Sequence, residues 1–355
     1  MTTNHTPSKP KPKHTITRLA LATATLLGAA LAQAEPVTLR VHHFLPATSS
    51  AHTKLIQPWC DKIAQQSKDQ LKCQIYPSMQ LGGTPPQLYD QVKDGVVDVV
   101  WTIPTYAAGR FTKSEVFELP WMTTTAKGGS QALWTYVDQY AQDEFKGVHR
   151  IFMHVHDGAL LHFKGKTPKT LEEMKGMKVR AATRSNAKMV EALGAVPIAM
   201  PLPMVPEALS KSVVDAAAVP WEGVPAIRLA DLTKYHLDVP AGAPRISNTI
   251  FLFGMNEAKY QSLPPELKKV IDDNSGMAVS AWAGETGFDA VVEPFRKAAI
   301  DGGATVYTMP DAEYQKWVKA TDSVDDGWVK DVSAKGADGQ KLLAAAKALV
   351  KQYSK

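Results

Sequence analysis

Residues 37–41 (VTLRV) alternate apolar and polar side chains with a period of two, the pattern of a strand with one face on a core and the other toward water. Residues 53–66 read as a helix, and 71–76 return to strand composition ahead of a turn at Gly82-Gly83. Alternation of strand and helix predicts an α/β chain with mostly parallel sheets and helices on both faces. Residues 88–98 (LYDQVKDGVVD) slide onto 205–215 (VPEALSKSVVD), and both copies end in Val-Val-Asp. Each reads as a short helix, a turn and a Val- or Ala-rich strand, which is what two similar α/β lobes produce. After Asn256 long helices take over. Ser262 is a candidate N-cap ahead of Pro264-Pro265. Residues 267–299 are helical by composition, with a bend expected near Glu285-Thr286-Gly287, and 311–317 and 339–352 close the chain as helices.

The first 34 residues depart from this pattern. They carry Lys9, Lys11, Lys13 and Arg18 and no acidic side chain, then an apolar run over 19–31, then Ala32-Gln33-Ala34. A basic start, a short apolar centre and a small-x-small end form a secretory signal peptide. The run is too short for a bilayer span of roughly 20 residues, so cleavage after Ala34 and a periplasmic mature chain are expected. That removal changes the charge picture. The full chain has 40 Lys+Arg against 35 Asp+Glu, and the mature chain keeps 36 against the same 35. A near-neutral surface without basic blocks offers no footprint for nucleic acid, and no later apolar run reaches transmembrane length. Cys60 and Cys73 are the only cysteines. In an oxidising compartment they are expected to form a disulfide, since their spacing lacks the paired ligands of a zinc site.

Six blocks then fall in a familiar order: Val41-His42-His43-Phe44-Leu45-Pro46; residues 75–83 (IYPSMQLGG); Glu118-Leu119-Pro120-Trp121; residues 171–180 (LEEMKGMKVR); Leu193-Gly194-Ala195-Val196-Pro197; and the helix entry over 256–271. In these the chain resembles the periplasmic substrate-binding subunits of TRAP transporters, the DctP-like family. The resemblance implies a two-lobed periplasmic binding protein with mostly parallel sheets, a long helix bridging the lobes and a ligand cleft between them. It implies a monomeric receptor, without cofactor, that hands a small organic acid to the membrane subunits of the transporter. The expected division is 1–34 as signal peptide; 35–158 with 250–285 as lobe I; 159–249 with 286–310 as lobe II; and 311–355 as helices packing on the lobes.

In that family one Arg pairs with the ligand carboxylate, and it falls here on Arg180 of Lys175-Gly176-Met177-Lys178-Val179-Arg180. Chemistry points the same way, because a planar guanidinium offers two parallel donors to a carboxylate. Departures from the pattern narrow the ligand. Leu160 stands where many members carry a second Arg, Met204-Val205-Pro206 replaces a Glu-x-Tyr, and Ala216-Ala217-Ala218-Val219-Pro220-Trp221 replaces a polar stretch. One carboxylate on an apolar or aromatic body fits such a wall, with a C4-dicarboxylate or sugar acid as the alternative. Ligands of open α/β sheets sit beyond the carboxyl ends of strands, which makes Trp221 and Trp101 candidate stacking partners. His43, Phe44, Asp157 and Phe251 complete the candidate set.

Two other classes of function compete. His154-Val155-His156 puts two imidazoles on one face of a strand near Asp157 and His162, the start of a metal-hydrolase site, but no third ligand follows at helical spacing. No Gly-x-Ser-x-Gly elbow is present and Gly82-Gly83-Thr84-Pro85 lacks the Lys of a P-loop, so no enzyme activity is expected. A sensor domain of the same fold is the second alternative, since fold does not specify function.

Overall fold

The computed structural model describes residues 1–10 and 35–354, so most of the expected signal peptide lies outside the described residues. The body of the protein begins at Val37. Its strands are β1 (Val37–His43), β2 (Leu71–Tyr76), β3 (Val99–Thr102), β4 (Val148–Val155), β5 (Leu160–Phe163), β6 (Lys178–Ala181), β7 (Val196–Ala199), β8 (Ala216–Val219), β9 (Tyr235–Asp238), β10 (Ile250–Asn256) and β11 (Thr305–Thr308). They form two sheets, ordered β2-β1-β3-β10-β4 and β11-β9-β5-β8-β6-β7. Each sheet is the floor of one lobe.

Five of the nine strand pairings are parallel. The four antiparallel ones involve β5, where the chain first enters the second sheet, and β10, where it returns to the first. The chain changes sheet three times: between β4 and β5, between β9 and β10, and over the four α-helices before β11, which end in the two longest. These helices, Met277–Gly287 and Val292–Asp301, carry the expected bridge. The long helix is segmented rather than continuous over 267–299. Helix Pro265–Asp273 stops at Asn274, and Gly276 has φ +98°, a left-handed value that a β-carbon disfavours. A second break at Phe288 falls just after the expected bend.

The repeat seen in the sequence is a repeat of structure. Helix Leu88–Lys93 leads into β3, which pairs in parallel with β1; helix Val205–Ser210 leads into β8, which pairs in parallel with β6. The two aspartates do the same work in each copy. Asp98 Oδ2 accepts the Arg40 backbone N–H at 2.8 Å, and Asp215 Oδ2 accepts that of Lys178 at 2.8 Å.

Cys60 and Cys73 are joined, with Cα atoms 5.7 Å apart, tying helix Gln57–Gln66 to β2 within the first lobe. The C-terminal helices brace both lobes. Trp328 donates its indole N–H to the Thr112 carbonyl on the first lobe at 2.9 Å, while Asp331 pairs with Arg184 and Lys188 on the second. Among the described residues no helix is long and apolar enough to cross a membrane.

Candidate functional site

The carboxyl ends of β1, β3, β6 and β8 converge on a cleft between the two sheets, where open α/β sheets place their ligands. Both sheets contribute. The first supplies Phe44, Trp101, Tyr106 and Phe251, and the second supplies Arg180, Ala182, Ala218, Pro220 and Glu222.

Arg180 sits at the end of β6, only 2 % exposed. Its Nε donates to the Met200 carbonyl at 3.0 Å and its Nη1 to the Ala218 carbonyl at 2.8 Å, with the Tyr106 hydroxyl beside it. Burial pulls its pKa below the ordinary value for arginine, against a smaller opposite effect of Tyr106. It forms no ion pair with a carboxylate among the described residues. A guanidinium fixed by two neutral carbonyls, with its charge unmatched, is prepared for an anion arriving from the cleft.

The facing wall is a stack of rings. Phe44 lies 5.1 Å and Phe251 4.8 Å from Trp101 between centroids, both nearly parallel to it. Trp101 donates its indole N–H to His154 Nε2 at 2.9 Å, and His154 Nδ1 then carries the proton and donates to the Val155 carbonyl at 3.2 Å. With both nitrogens engaged and burial lowering its pKa to about 3, His154 is a neutral prop behind the wall. Among the described residues no three His, Cys, Asp or Glu side chains are grouped to hold a metal ion.

Four of the seven candidate residues thus meet in the cleft: Arg180, Trp101, Phe44 and Phe251. Trp221, His43 and Asp157 are placed elsewhere. Strand β8 delivers Ala218, Pro220 and Glu222 to the cleft, and Trp221 between them turns the other way, fully buried against His162 and His236 with its indole N–H toward Asp238. The repeat gives the reason. Aligning Leu88 with Val205 pairs Trp101 with Ala218, not with Trp221. His43 is buried behind Trp101, its Nε2 2.9 Å from His52 Nδ1. Burial and then the neighbouring His52 lower its pKa to about 3. Asp157 pairs with Arg245, which also bonds Asp238 at 3.0 Å; burial outweighs Arg245 and raises the Asp157 carboxyl to about 7. Leu160 is buried in the core and Ala159 reaches the cleft in its stead.

His156, Tyr106, Asn186 and Glu222 are cleft residues that sequence reading did not single out as contacts. His156 Nδ1 accepts the Gly158 N–H at 2.9 Å, which leaves the ring proton on Nε2. Burial holds its pKa well below the usual value, so it is a neutral donor. Gly158 is required there, with φ +96° and room for no side chain, since a Cβ at that position would lie only 2.5 Å from that of Arg245. Tyr106 accepts the Leu202 N–H at 3.2 Å. Asn186 Nδ2 donates to the Asn248 carbonyl at 3.1 Å.

Between the lobes, buried Glu118 accepts from Thr105 Oγ1 at 2.5 Å and the Ile250 N–H at 3.1 Å on the first lobe. On the second it accepts from Thr183 Oγ1 at 2.7 Å. Burial raises its carboxyl to about 8 despite these donors.

Residues 41–331 match the family model described as bacterial extracellular solute-binding protein, family 7. A TRAP solute-binding protein of Rhodoferax ferrireducens T118, solved with copurified benzoate, is 43 % identical with a TM-score of 0.88, over 90 % of this chain and 98 % of that one. A marine-metagenome TRAP solute-binding protein specific for aromatic acid ligands, solved with 3-hydroxybenzoate, is 42 % identical with a TM-score of 0.88, over 90 % and 100 % of the two chains. The outer membrane transporter protein TsaT of Comamonas testosteroni is 27 % identical over 332 residues, 92 % of this chain and 96 % of that protein. A cleft built around one unmatched guanidinium on this two-sheet frame, and a family match across nearly all of the body, place the chain in the bacterial extracellular solute-binding proteins of family 7, the TRAP-transporter receptors.

Proposed function

We propose that the protein captures a monocarboxylate with an aromatic body and delivers it, without chemical change, to the membrane subunits of a TRAP transporter. The observation that carries this reading is Arg180, buried, held by two carbonyls and lacking a carboxylate partner, opposite the Phe44–Trp101–Phe251 stack. The ligand carboxylate lies on the guanidinium, with His156 Nε2–H and the Tyr106 hydroxyl as additional donors. Its ring lies against the aromatic wall, where offset stacking adds to burial. The aromatic acids bound by the two similar solved proteins support this choice. The second lobe presents small side chains, Ala182 and Ala218, to the cleft. The lobes close over the ligand as a hinge whose crossings are those between β4 and β5, between β9 and β10, and ahead of β11. Lobe I is taken as 35–158 with 250–285, lobe II as 159–249 with 286–310, and the mature periplasmic chain as starting after Ala34.

Calorimetry and thermal shift with benzoate, phenylacetate, mandelate, succinate and malate test the reading. An aromatic acid of micromolar Kd supplied at millimolar concentration adds about 4 kcal/mol to stability. A preference for succinate or malate overturns it.

A further inference from the structure

Among the described residues Glu222 is the one carboxyl group that lines the cleft. It is 2 % exposed, follows β8 on the second lobe, and accepts a hydrogen bond on Oε1 from Ser50 Oγ of the first lobe at 3.0 Å. Oε2 has no hydrogen-bond partner among the described residues, nor is it one of the atoms sealed from the surface without a partner. Glu222 forms no ion pair with Arg180, so the cleft keeps a cationic site and a separate carboxyl site.

We infer that Glu222, oriented by Ser50, reads a hydroxyl group on the body of the ligand, making ring-hydroxylated aromatic monocarboxylates the preferred class. This rests on the aromatic monocarboxylate reading and sharpens it. Burial raises the Glu222 carboxyl to about 7, with Ser50 opposing and Asp157 adding to the rise, so both protonation states occur near neutrality. Oε2 is then a donor in one state and an acceptor in the other. A hydroxyl satisfies both, since it donates and accepts. A bare C–H edge satisfies neither and leaves Oε2 desolvated without a partner, which is costly in a closed site. A second ligand carboxylate meets the ionised form as a like charge.

The experiment is calorimetry of wild type, Glu222→Leu, Glu222→Gln and Ser50→Ala with benzoate and its three monohydroxylated isomers, each variant's thermal midpoint reporting its fold. The expected result is one isomer bound at least about ten-fold more tightly than benzoate by wild type. The ratio falls to about two-fold or less in Glu222→Leu, is partly kept in Glu222→Gln, whose amide still donates and accepts, and is reduced in Ser50→Ala. A ratio that survives Glu222→Leu overturns the assignment. Benzoate binding with no isomer preferred in wild type also overturns it and leaves the monocarboxylate reading standing. Failure of all four acids to bind overturns both.

Discussion

The two lobes build their cleft faces from the same supersecondary unit and reach opposite chemistry. In each, an aspartate at the foot of the second strand accepts the backbone N–H of the first, setting the register. From there the ladders run in step, Val41 opposite Val99 and Val179 opposite Ala216. Positions that match across the repeat are then His42 with Arg180, Phe44 with Ala182, and Trp101 with Ala218. The first lobe fills its cleft positions with rings that stack on one another. The second fills them with alanines, which leaves the Ala218 carbonyl bare for Arg180. His42, the first-lobe counterpart of Arg180, instead points its Nδ1 at Gln91 Oε1, 2.8 Å away. A duplicated scaffold thus gains a polar end and an apolar end by a change of charge and side-chain volume at matched positions.

The sharpest way to break this division is Arg180→Ala, which leaves two carbonyls unpaired and the ligand carboxylate without its counter-ion. Affinity for an aromatic acid is expected to fall about a thousand-fold, about 4 kcal/mol, by calorimetry. Arg180→Lys does not restore it, because an ammonium cannot hold both carbonyls and a carboxylate in one plane.

Next comes the junction. Glu118 stays protonated in the folded protein up to about pH 8, whereas the unfolded chain loses that proton near pH 4.5. Between those values the unfolded state binds fewer protons, so stability falls as pH rises from about 4.5 through 8 and is fully present below. The Asp157 and Glu222 carboxyls, each raised to about 7, act with the same sign. The buried histidines, His43, His154 and His236 among them, act with the opposite sign below about pH 6.5, so thermal midpoints are expected to decline from pH 7 to 8, and Glu118→Gln to flatten that decline.

The Cys60–Cys73 bond belongs to the first lobe alone. Its reduction is expected to cost about 3 kcal/mol from a loop of this length, read as a lower denaturation midpoint, with ligand affinity of the folded protein unchanged. The smallest test compares the lobes directly. Asp98→Ala and Asp215→Ala each remove a charged acceptor from a strand N–H and are each expected to cost about 1.5–3 kcal/mol. Equal losses support matched roles; a large inequality says that one lobe relies on its anchor more.

The repeat, the strand alternation and the cleft position of Arg180 are legible in the residues, because local period and a distinctive block survive without tertiary context. Trp221 was misplaced by a single step of alternation, since a Trp at the end of a strand reads as a ring for stacking whichever face it takes. His156, Tyr106 and Asn186 come from three separate segments that only folding brings together. Glu222 did carry a signal: a lone acid between Trp221 and Gly223 in an otherwise apolar run. The break at Gly276 was also written, as a glycine after Asn274-Ser275, where helices end.

The unmatched Arg180 also bears on how a transporter distinguishes cargo-laden receptors from empty ones. Closing the lobes without an anion strips water from a naked cation, an unfavourable step. The cargo removes that barrier by supplying the missing charge. On the proposed hinge, ligand and protein would share one ionic bond that neither completes alone, and a closed shape would signal occupancy to the membrane subunits.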